Sequence, residues 1–308
     1  MEKNILKRMI KKHNIIGLMS GTSLDGLDLA LCSFYENDQQ VHYEILSAAT
    51  MAYDKRWQKK LTHAHKLSGL ELTHLNIEFG VQLGKMVNAF LLKINLKKTD
   101  INCIASHGHT IFHQPEHGFT LQIGHGAYIA ETTGINTICD FRVQDMAKGG
   151  QGAPLVPIGD QLLFGNYGCC INLGGIANVS YEQNSHRIAY DICPANMVLN
   201  YLSQKLGKQY DQQGKIAASG QFNQSLFDDF NKIEYYQQNP PKTLGREWVE
   251  QNIFPILEKS DVSIADKLHT FCHHIGKQIH TSTAHLPQST ILLTGGGAWN
   301  TFLTESIK

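Results

Sequence analysis

Residues 14–32 read NIIGLMSGTSLDGLDLALC, in which a glycine-rich turn separates two short apolar runs. The apolar runs predict strands, and the turn between them carries two hydroxyls and two carboxylates. Backbone N–H groups beside glycines can surround a phosphate, and carboxylates can hold Mg²⁺ directly or through water. Asp-Gly is also a common signal of an ordinary hairpin, but the added polar groups favour a phosphate site. The turn consists of Gly21, Thr22, Ser23, Leu24, Asp25, Gly26, Leu27 and Asp28.

A second segment repeats this pattern about half a chain further on. Residues 169–181 read CCINLGGIANVSY, so an apolar run again enters a glycine turn, here Gly174 and Gly175, and leaves it as another apolar run. Such spacing is what two domains of one ancestral type would produce. We therefore predict a first domain over residues 14–165 and a second over residues 166–308, after an N-terminal extension of residues 1–13.

Helical and strand-like patterns alternate between these segments. Apolar residues recur at steps of three and four over residues 72–94 and again over residues 264–279, which predicts two amphipathic helices. Residues 101–105 predict a buried strand ending at a polar turn over residues 106–110, and residues 290–293 predict a strand entering Gly295, Gly296 and Gly297. The alternation indicates an α/β fold with a partly parallel sheet in each half. Residues 223–241, rich in Asn, Gln, Asp and Tyr, are interpreted as a surface excursion or divider.

The composition of the chain limits the classes of binding partner that we expect. The 308 residues contain 27 Lys plus Arg and 27 Asp plus Glu, so the formal charge is zero, which argues against a general nucleic-acid binder. No apolar run approaches the length of a membrane span. The seven cysteines include no C-x-x-C pair, which favours a reducing, cytoplasmic setting. We expect neither a nucleic-acid nor a membrane partner.

The polar, glycine-dense stretch CDFRVQDMAKGGQGAPLVP occupies residues 139–157 and predicts a substrate loop. Arg142 can offer two parallel hydrogen bonds to a carboxylate, and Asp145 can bind a polar substrate. A mutual surface salt bridge between these two residues is the alternative. Three glycines and two prolines in the stretch indicate a defined backbone shape and favour substrate binding.

Asp191 follows the apolar run of residues 188–190 and is a candidate general base. Local sequence leaves open a second interpretation, in which Asp191 caps a helix over residues 194–206. The five histidines between His107 and His125 are spaced irregularly, so they are interpreted as polar loop and surface residues rather than metal ligands.

Taken together, these segments resemble the anhydro-N-acetylmuramic acid kinases, a branch of the sugar kinase, actin and heat-shock chaperone ATPase superfamily. The likeness covers nearly the whole chain in order. It is carried by GLMSGTSLDGLD from Gly17, SHGHTIFHQP from Ser106, LQIG from Leu121, DFRVQDMAKGGQGAPLVP from Asp140, INLGGIANVS from Ile171, DICPANMVLN from Asp191, PPKTLGREW from Pro240 and LLTGGGAWN from Leu292.

The resemblance implies two related ribonuclease H-like (actin-like ATPase) domains with mixed sheets and a nucleotide cleft between them. It also implies ATP-dependent, Mg²⁺-assisted conversion of an amino sugar, 1,6-anhydro-N-acetylmuramic acid, into N-acetylmuramic acid 6-phosphate during peptidoglycan recycling. Asp191 matches the catalytic aspartate, which makes the base interpretation the favoured one. The implied nucleotide-binding residues are those of the first turn together with Gly174, Gly175, Gly295, Gly296 and Gly297, with Asp25 and Asp28 as Mg²⁺ ligands; the implied sugar-binding residues are Ser106, His107, Gln122, Arg142, Asp145, Gly152 and Asn196.

Departures from the family pattern lead to further expectations. His109 stands where the family more often has Gln, and Cys193 and Ala195 replace glycines after Asp191. The chain stops at Lys308, shortly after the third glycine turn, so the C-terminal part of the second domain is expected to be truncated. The alternative function is therefore a catalytically weak or inactive nucleotide and amino-sugar binding protein. A homodimer is left open.

Overall fold

The computed structural model describes residues 11–21, 24, 26–37, 40–286 and 290–308. Contacts divide the chain into two units, residues 1–155 and 156–308. The division precedes the expected boundary because helix α5 (Val156–Phe164) packs on strands of the second unit. Its Asp160 carboxylate accepts a hydrogen bond from Ser180 and lies 4.0 Å from the Arg187 guanidinium. Of the expected extension, residues 1–10 lie outside the described residues, whereas Lys12 and His13 already belong to a strand.

The first unit is a mixed sheet with helices. Its strand order is β3-β2-β1-β4-β5, and β6 pairs with β4; β1 runs parallel to β4, and β4 to β6, whereas the other pairs are antiparallel. The elements are β1 (Lys12–Ser20), β2 (Gly26–Asn37), β3 (Gln40–Ala52), α1 (Lys55–His63), α2 (Gly69–Lys93), β4 (Cys103–Gln114), β5 (Phe119–Ile123), α3 (Gly126–Thr133), β6 (Thr137–Ile138) and α4 (Phe141–Ala147).

Helix α2 confirms the amphipathic helix expected near residues 72–94. Ser68 and Glu71 close its N-terminus as a capping box, each satisfying a backbone N–H of the other. Its apolar face buries residues such as Phe79 and Leu83 completely, in the same core as Ile16 and Ile104 of the sheet. The helix thereby supports the central strands β1 and β4 from one face.

Strand β4 is longer than the sequence indicated. The prediction of a polar turn over residues 106–110 is wrong, because this segment continues the strand between β1 and β5. The pairing with β1 shifts register between Leu18 and Ser20, and Gly108 has a φ of 71°. An irregularity of this kind changes the direction of side chains without ending a strand. The histidines of this segment therefore lie on a strand, and His109 is buried.

The second unit contains a sheet of four strands and the helices around it. Its elements after α5 are β7 (Cys169–Leu173), β8 (Ile176–Gln183), β9 (His186–Pro194), α6 (Asn196–Gln204), α7 (Lys215–Ser219), α8 (Gln224–Asn231), α9 (Arg246–Asn252), α10 (Phe254–Lys259), α11 (Ile264–Thr283), β10 (Ile291–Thr294) and α12 (Thr301–Ile307). The order of the four described strands in the sheet is β10-β7-β8-β9.

The two sheets share a connection pattern. In each, three consecutive strands form an antiparallel meander, and the first strand of the meander has a later strand beside it in parallel. The glycine turns at residues 21–26 and 174–175 occupy the same place in the two meanders, between the first and second strands. The α/β class with mixed sheets is therefore confirmed, and α11 confirms the second amphipathic helix.

The interpretation of residues 223–241 as a surface excursion or divider is wrong. This segment forms α8 and a short 3-10 helix (Glu234–Gln237), and it buries Leu226, Phe230, Tyr235 and Tyr236 in the core of the second unit. Polar residues dominate the composition, but these four side chains face inward. Among the described residues, no helix combines the length and apolar character needed to cross a membrane.

Candidate active site

The first glycine turn joins β1 to β2, whose antiparallel register pairs Ser20 with Leu27 and Met19 with Asp28. Residue 26 must be glycine because the backbone of β3 passes close to it: a Cβ there would stand 2.4 Å from the carbonyl oxygen of Met51. The hairpin geometry is thus present, which is compatible with either interpretation of the turn. Thr22, Ser23 and Asp25, three of the predicted nucleotide or Mg²⁺ residues, lie outside the described residues.

Asp28 lies beside a cavity of about 730 Å³ in the first unit. Its Oδ1 accepts a hydrogen bond of 2.5 Å from the Thr50 hydroxyl of the neighbouring strand β3. Thr50 orients the carboxylate, and Oδ2 has no hydrogen-bond partner among the residues that the structure describes. Small and apolar residues make up most of the lining of the cavity, which comprises Gly17, Leu18, Met19, Asp28, Leu29, Ala30, Ala48, Ala49, Thr50, Ala105, His107 and Phe141.

Arg142 and Asp145 do not form the mutual salt bridge that was the alternative for this loop. Arg142 Nε donates to Nε2 of His107 at 2.8 Å, and its Nη1 donates to the carbonyl of Gly152 at 2.6 Å. Asp145 Oδ2 accepts from the backbone N–H of Gly152 at 2.8 Å. Both side chains therefore hold Gly152, which has a φ of 71° suited to glycine.

Within the described residues, Arg142 has no carboxylate partner. Because His107 Nε2 accepts from Arg142, Nδ1 of this histidine carries the proton and donates to the Gly108 carbonyl at 3.0 Å. Burial lowers the pKa of His107, which keeps the ring neutral, and burial also lowers the pKa of Arg142. The guanidinium is thus a half-buried cation, and its remaining N–H groups can bind an anionic ligand.

Two other predicted sugar-binding residues of the first unit form local hydrogen bonds. Ser106 is only 1 % exposed, and its hydroxyl accepts from the N–H of Gly108. Gln122 donates to Thr120 at 2.8 Å. His109, which was expected on a loop or surface, instead lies 3.0 Å from the buried Ser20 hydroxyl because β4 passes directly beside β1. Its ring belongs to the protein interior.

The two glycine turns of the second unit pack on each other. Gly295 has a φ of 80°, and a Cβ there would stand 2.9 Å from the carbonyl oxygen of Leu173. A Cβ on Gly297 would stand 2.7 Å from the Leu173 Cβ. Asn196, a predicted sugar-binding residue, donates to the Leu173 carbonyl at 2.8 Å. The exposed Gly295 and Gly296 therefore present a backbone surface beside this packing, and the amide of Asn196 ties the packing together.

The backbone at the start of α6 also holds this surface. The N–H of Asn196 donates to the Gly174 carbonyl, and the N–H of Met197 donates to the Gly175 carbonyl. These N–H groups are thus already bonded within the protein. If the turn at Gly174 and Gly175 binds phosphate, as expected, it must do so through other groups than these N–H groups.

Gly295→Ala should disrupt this surface, whereas Gly296→Ala should not. Alanine at residue 295 meets both an unfavourable φ and overlapping backbone, so the free energy of unfolding should fall by about 2 kcal/mol or more. At Gly296 the nearest atom to a Cβ is Nδ2 of Asn196 at 3.8 Å, an ordinary contact. Urea denaturation of the two variants measures the difference. Equal stability of the two would contradict the described packing.

Asp191 lies on β9 next to a local irregularity of the sheet. Residues Asn178 and Ala177 of β8 pair with Asp191 and Cys193, so Ile192 has no partner of its own. Bulges of this kind commonly direct a side chain at a functional site. Cys193 and Ala195, which replace glycines of the family pattern, are fully buried, and Ala195 has a negative φ of −132°. Alanine therefore causes no left-handed strain here.

The Asp191 carboxylate is anchored through one oxygen. Oδ2 accepts from the Thr243 hydroxyl at 2.9 Å and from the Leu244 N–H at 2.9 Å. Burial raises the pKa of Asp191, and the hydrogen bonds from Leu244 and Thr243 oppose that shift. Asp191 does not cap α6, because that helix begins after Ala195 and no side chain caps it. The carboxylate is thus a partly exposed base held in one orientation.

The residues that hold Asp191 were not predicted from the sequence. Tyr235, Thr243 and Leu244 contact it from a segment more than forty positions away. The family-like motif PPKTLGREW covers part of this segment, but its residue types carry no catalytic signature. The one available signal was the pair of tyrosines at residues 235–236 within an otherwise polar stretch.

No group of three or more His, Cys, Asp or Glu side chains in the described part of the chain could hold a metal ion. Asp28 alone of the two predicted Mg²⁺ ligands is described. Since Mg²⁺ usually keeps several waters and takes only one or two protein carboxylates beside nucleotide phosphates, a lone oriented carboxylate is compatible with it.

Comparison with solved structures gives a weak likeness. Component A of the (R)-2-hydroxyglutaryl-CoA dehydratase of Acidaminococcus fermentans aligns at 12 % identity with a TM-score of 0.46, covering 96 % of this chain and 87 % of that one.

Sequence relatives are much closer. An anhydro-N-acetylmuramic acid kinase of Hydrogenovibrio crunogenus is 37 % identical over 95 % of this chain and 82 % of its own length. One from Shewanella denitrificans is 37 % identical over 97 % of this chain and 84 % of its own length. These comparisons do not support the expected truncation. The family model described as anhydro-N-acetylmuramic acid kinase matches residues 13–308, from the first strand to the last residue, and with these relatives it shows that the chain belongs to the anhydro-N-acetylmuramic acid kinase family.

Proposed function

We propose that this kinase uses ATP to convert 1,6-anhydro-N-acetylmuramic acid into N-acetylmuramic acid 6-phosphate in cell-wall recycling, with Asp191 as the general base. Family membership supports the substrate and reaction. The observation that carries the catalytic assignment is the Asp191 carboxylate, which is held through Oδ2 while Oδ1 has no partner among the described residues. A carboxylate anchored on one side can take a proton on the other.

In the proposed reaction, Oδ1 of Asp191 removes a proton from a water molecule that attacks the anomeric carbon of the sugar. The bond between that carbon and the bridging oxygen breaks, and the bridging oxygen becomes O6. O6 takes the γ-phosphoryl group of ATP, which leaves ADP. Positioning and charge neutralisation are the main contributions a protein makes to phosphoryl transfer. The fixed orientation of Asp191 supplies the first of these for the attacking water.

We place the nucleotide on the glycine turns and the sugar on the Arg142 loop. Gly295 and Gly296 are exposed beside the packed Leu173 and Gly297, and their glycine backbone suits the close approach of a flat purine or ribose. Asp28, oriented by Thr50, would hold Mg²⁺ together with the nucleotide phosphates, and the ion would neutralise developing charge. Thr22, Ser23 and Asp25 of the first glycine turn stay predictions as nucleotide-binding residues, and Asp25 also as a Mg²⁺ ligand.

Arg142 is proposed to bind the sugar's carboxylate, with His107, Asp145 and Gly152 fixing the guanidinium. Arg142→Lys should raise the KM for the sugar about tenfold to a hundredfold, because a lysine ammonium cannot keep the hydrogen bonds to His107 and Gly152 while pairing with a carboxylate. The KM for ATP should stay within about twofold. Steady-state kinetics with each substrate varied in turn measure both constants.

Arg56→Lys is the matched control for that variant. The Arg56 side chain is 71 % exposed, and its surface ion pair with Glu78 contributes little. A sugar KM that is unchanged in Arg142→Lys would contradict the assignment of the sugar carboxylate to this loop.

The proposal is tested by mixing the purified protein with ATP, Mg²⁺ and the anhydro sugar and identifying the products by mass spectrometry. We expect ADP and N-acetylmuramic acid 6-phosphate in equal amounts. Sugar binding without turnover would instead support the weak or inactive binding protein, an alternative that the comparisons do not favour. Seven free thiols also support our proposal that the enzyme works in the reducing cytoplasm.

A further inference from the structure

Almost every polar atom of Asp191 forms a hydrogen bond with one short stretch of the chain. Its backbone N–H donates to the carbonyl of Lys242 at 3.1 Å, and its backbone carbonyl accepts from the Tyr235 hydroxyl at 2.6 Å. Its Oδ2 accepts from Thr243 and Leu244. Within the described part of the chain, Oδ1 alone is left without a partner. We call Tyr235, Lys242, Thr243 and Leu244 the Asp191 clamp.

The clamp is itself fixed to the body of the second unit. Tyr235 and Leu244 are buried in its core. The Lys242 ammonium donates to the Tyr235 carbonyl at 3.2 Å and lies 4.7 Å from the centre of the Tyr235 ring. Thr243, in contrast, is exposed and touches Asp191 through its hydroxyl. The buried members therefore fix the backbone, and Thr243 contributes a hydrogen bond that a substitution can remove without opening the core.

We propose that Thr243 is a positioning residue that decides which carboxylate oxygen of Asp191 acts as the base. A carboxylate oxygen has two lone-pair positions, and on Oδ2 the Thr243 hydroxyl and the Leu244 N–H occupy both. The proton from the attacking water must then go to Oδ1. This inference rests on the proposed role of Asp191 and adds to it the group that selects the reacting atom.

Other charged or titratable groups near Asp191 do not compete for this role. The Tyr235 hydroxyl is engaged with the Asp191 backbone, and burial raises the pKa of that tyrosine. Burial likewise raises the pKa of the Cys193 thiol, so it stays neutral. Burial lowers the pKa of Lys242, whose ammonium faces the Tyr190 and Tyr235 rings rather than the carboxylate. We therefore expect Asp191 to determine the acid limb of the rate profile.

Thr243→Val removes the hydroxyl at nearly constant volume and tests the inference. We expect kcat to fall about tenfold, because loss of one hydrogen bond to a charged group frees the carboxylate to rotate. We also expect the acid limb of kcat/KM to move to higher pH, since that hydrogen bond lowers the pKa of Asp191. Thr243→Ser keeps the hydroxyl and should restore both the rate and the pH profile.

Two further variants separate this inference from the proposed function. Thr62→Val is the matched control, because in the described part of the chain the exposed Thr62 hydroxyl bonds only to a carbonyl of its own helix. This variant should leave the rate and the pH profile unchanged. In an Asp191→Asn background, Thr243→Val should cause no further loss of rate. A Thr243→Val enzyme with wild-type kcat and acid limb would overturn the inference while an inactive Asp191→Asn enzyme upholds the proposed base. Full activity of Asp191→Asn would refute the base and this inference together.

Discussion

Asp191→Asn should lower kcat about 10³-fold while changing the KM values of ATP and sugar by less than about threefold. The amide oxygen of asparagine can still accept the hydrogen bonds from Thr243 and Leu244, so the fold and the clamp survive the change. What the variant loses is a group that can take a proton from water. Stopped assays with purified enzyme measure the rate, and thermal unfolding verifies that the variant is folded.

The pH dependence of this variant adds a second readout. Burial raises the pKa of Asp191, so in the wild-type enzyme the base is protonated and inactive below a pKa that lies above the ordinary value for aspartate. Activity should therefore fall as pH drops through that raised value, and Asp191→Asn should abolish this limb. Asp229→Asn, at an exposed ion pair with Lys232, is the control and should keep both rate and limb. An unchanged kcat in Asp191→Asn would refute the assignment.

Phe230→Ala should cost about 3–5 kcal/mol of folding free energy, a large part of the 5–15 kcal/mol typical of a whole domain. Phe230 is fully buried on α8 and packs edge-on against Phe271 with ring centres 5.1 Å apart. Truncation leaves a cavity that the surrounding helices cannot close. Urea denaturation followed by circular dichroism measures the loss.

Phe222→Ala provides the comparison for Phe230→Ala. Phe222 precedes α8, and its side chain is 42 % exposed, so the same truncation should cost under about 1 kcal/mol. Equal losses at the two positions would mean that α8 does not pack in the core. Because α8 leads directly into the Tyr235 end of the clamp, we also expect Phe230→Ala to weaken the hold on Asp191.

The sequence predicted well those elements whose periodicity is strong. Helices α2 and α11 have apolar faces that repeat over five or more turns, and both are confirmed close to the expected bounds. The strand pairs β1–β2 and β7–β8 followed from the two apolar-glycine-apolar segments. The predictions for residues 106–110 and 223–241 are wrong because polar composition does not by itself indicate exposure. In both segments, packing between neighbouring elements buries particular side chains whatever the average composition.

The residues of the candidate site were likewise only partly predictable from the sequence. Asp191, Arg142 and the glycine turns could be predicted as site residues because their residue types are typical of catalysis or ligand binding. Their roles stay predictions. The clamp could not be predicted from the sequence, since a threonine hydroxyl and a leucine N–H acquire a function only when the fold brings them to Oδ2 of Asp191. Likewise, no local pattern indicates that Arg142 pairs with His107 and Gly152 rather than with Asp145. Contacts between residues distant in sequence are what the structure adds.

The most direct test of the central claim is to run the reaction in H₂¹⁸O, quench it early and analyse the sugar phosphate by mass spectrometry with fragmentation. If water activated by Asp191 opens the anhydro bridge, the product carries one ¹⁸O at the anomeric carbon and none in the bond between O6 and phosphorus. ADP formed without a phosphorylated sugar, or a sugar phosphate lacking ¹⁸O at the anomeric carbon, would contradict the account.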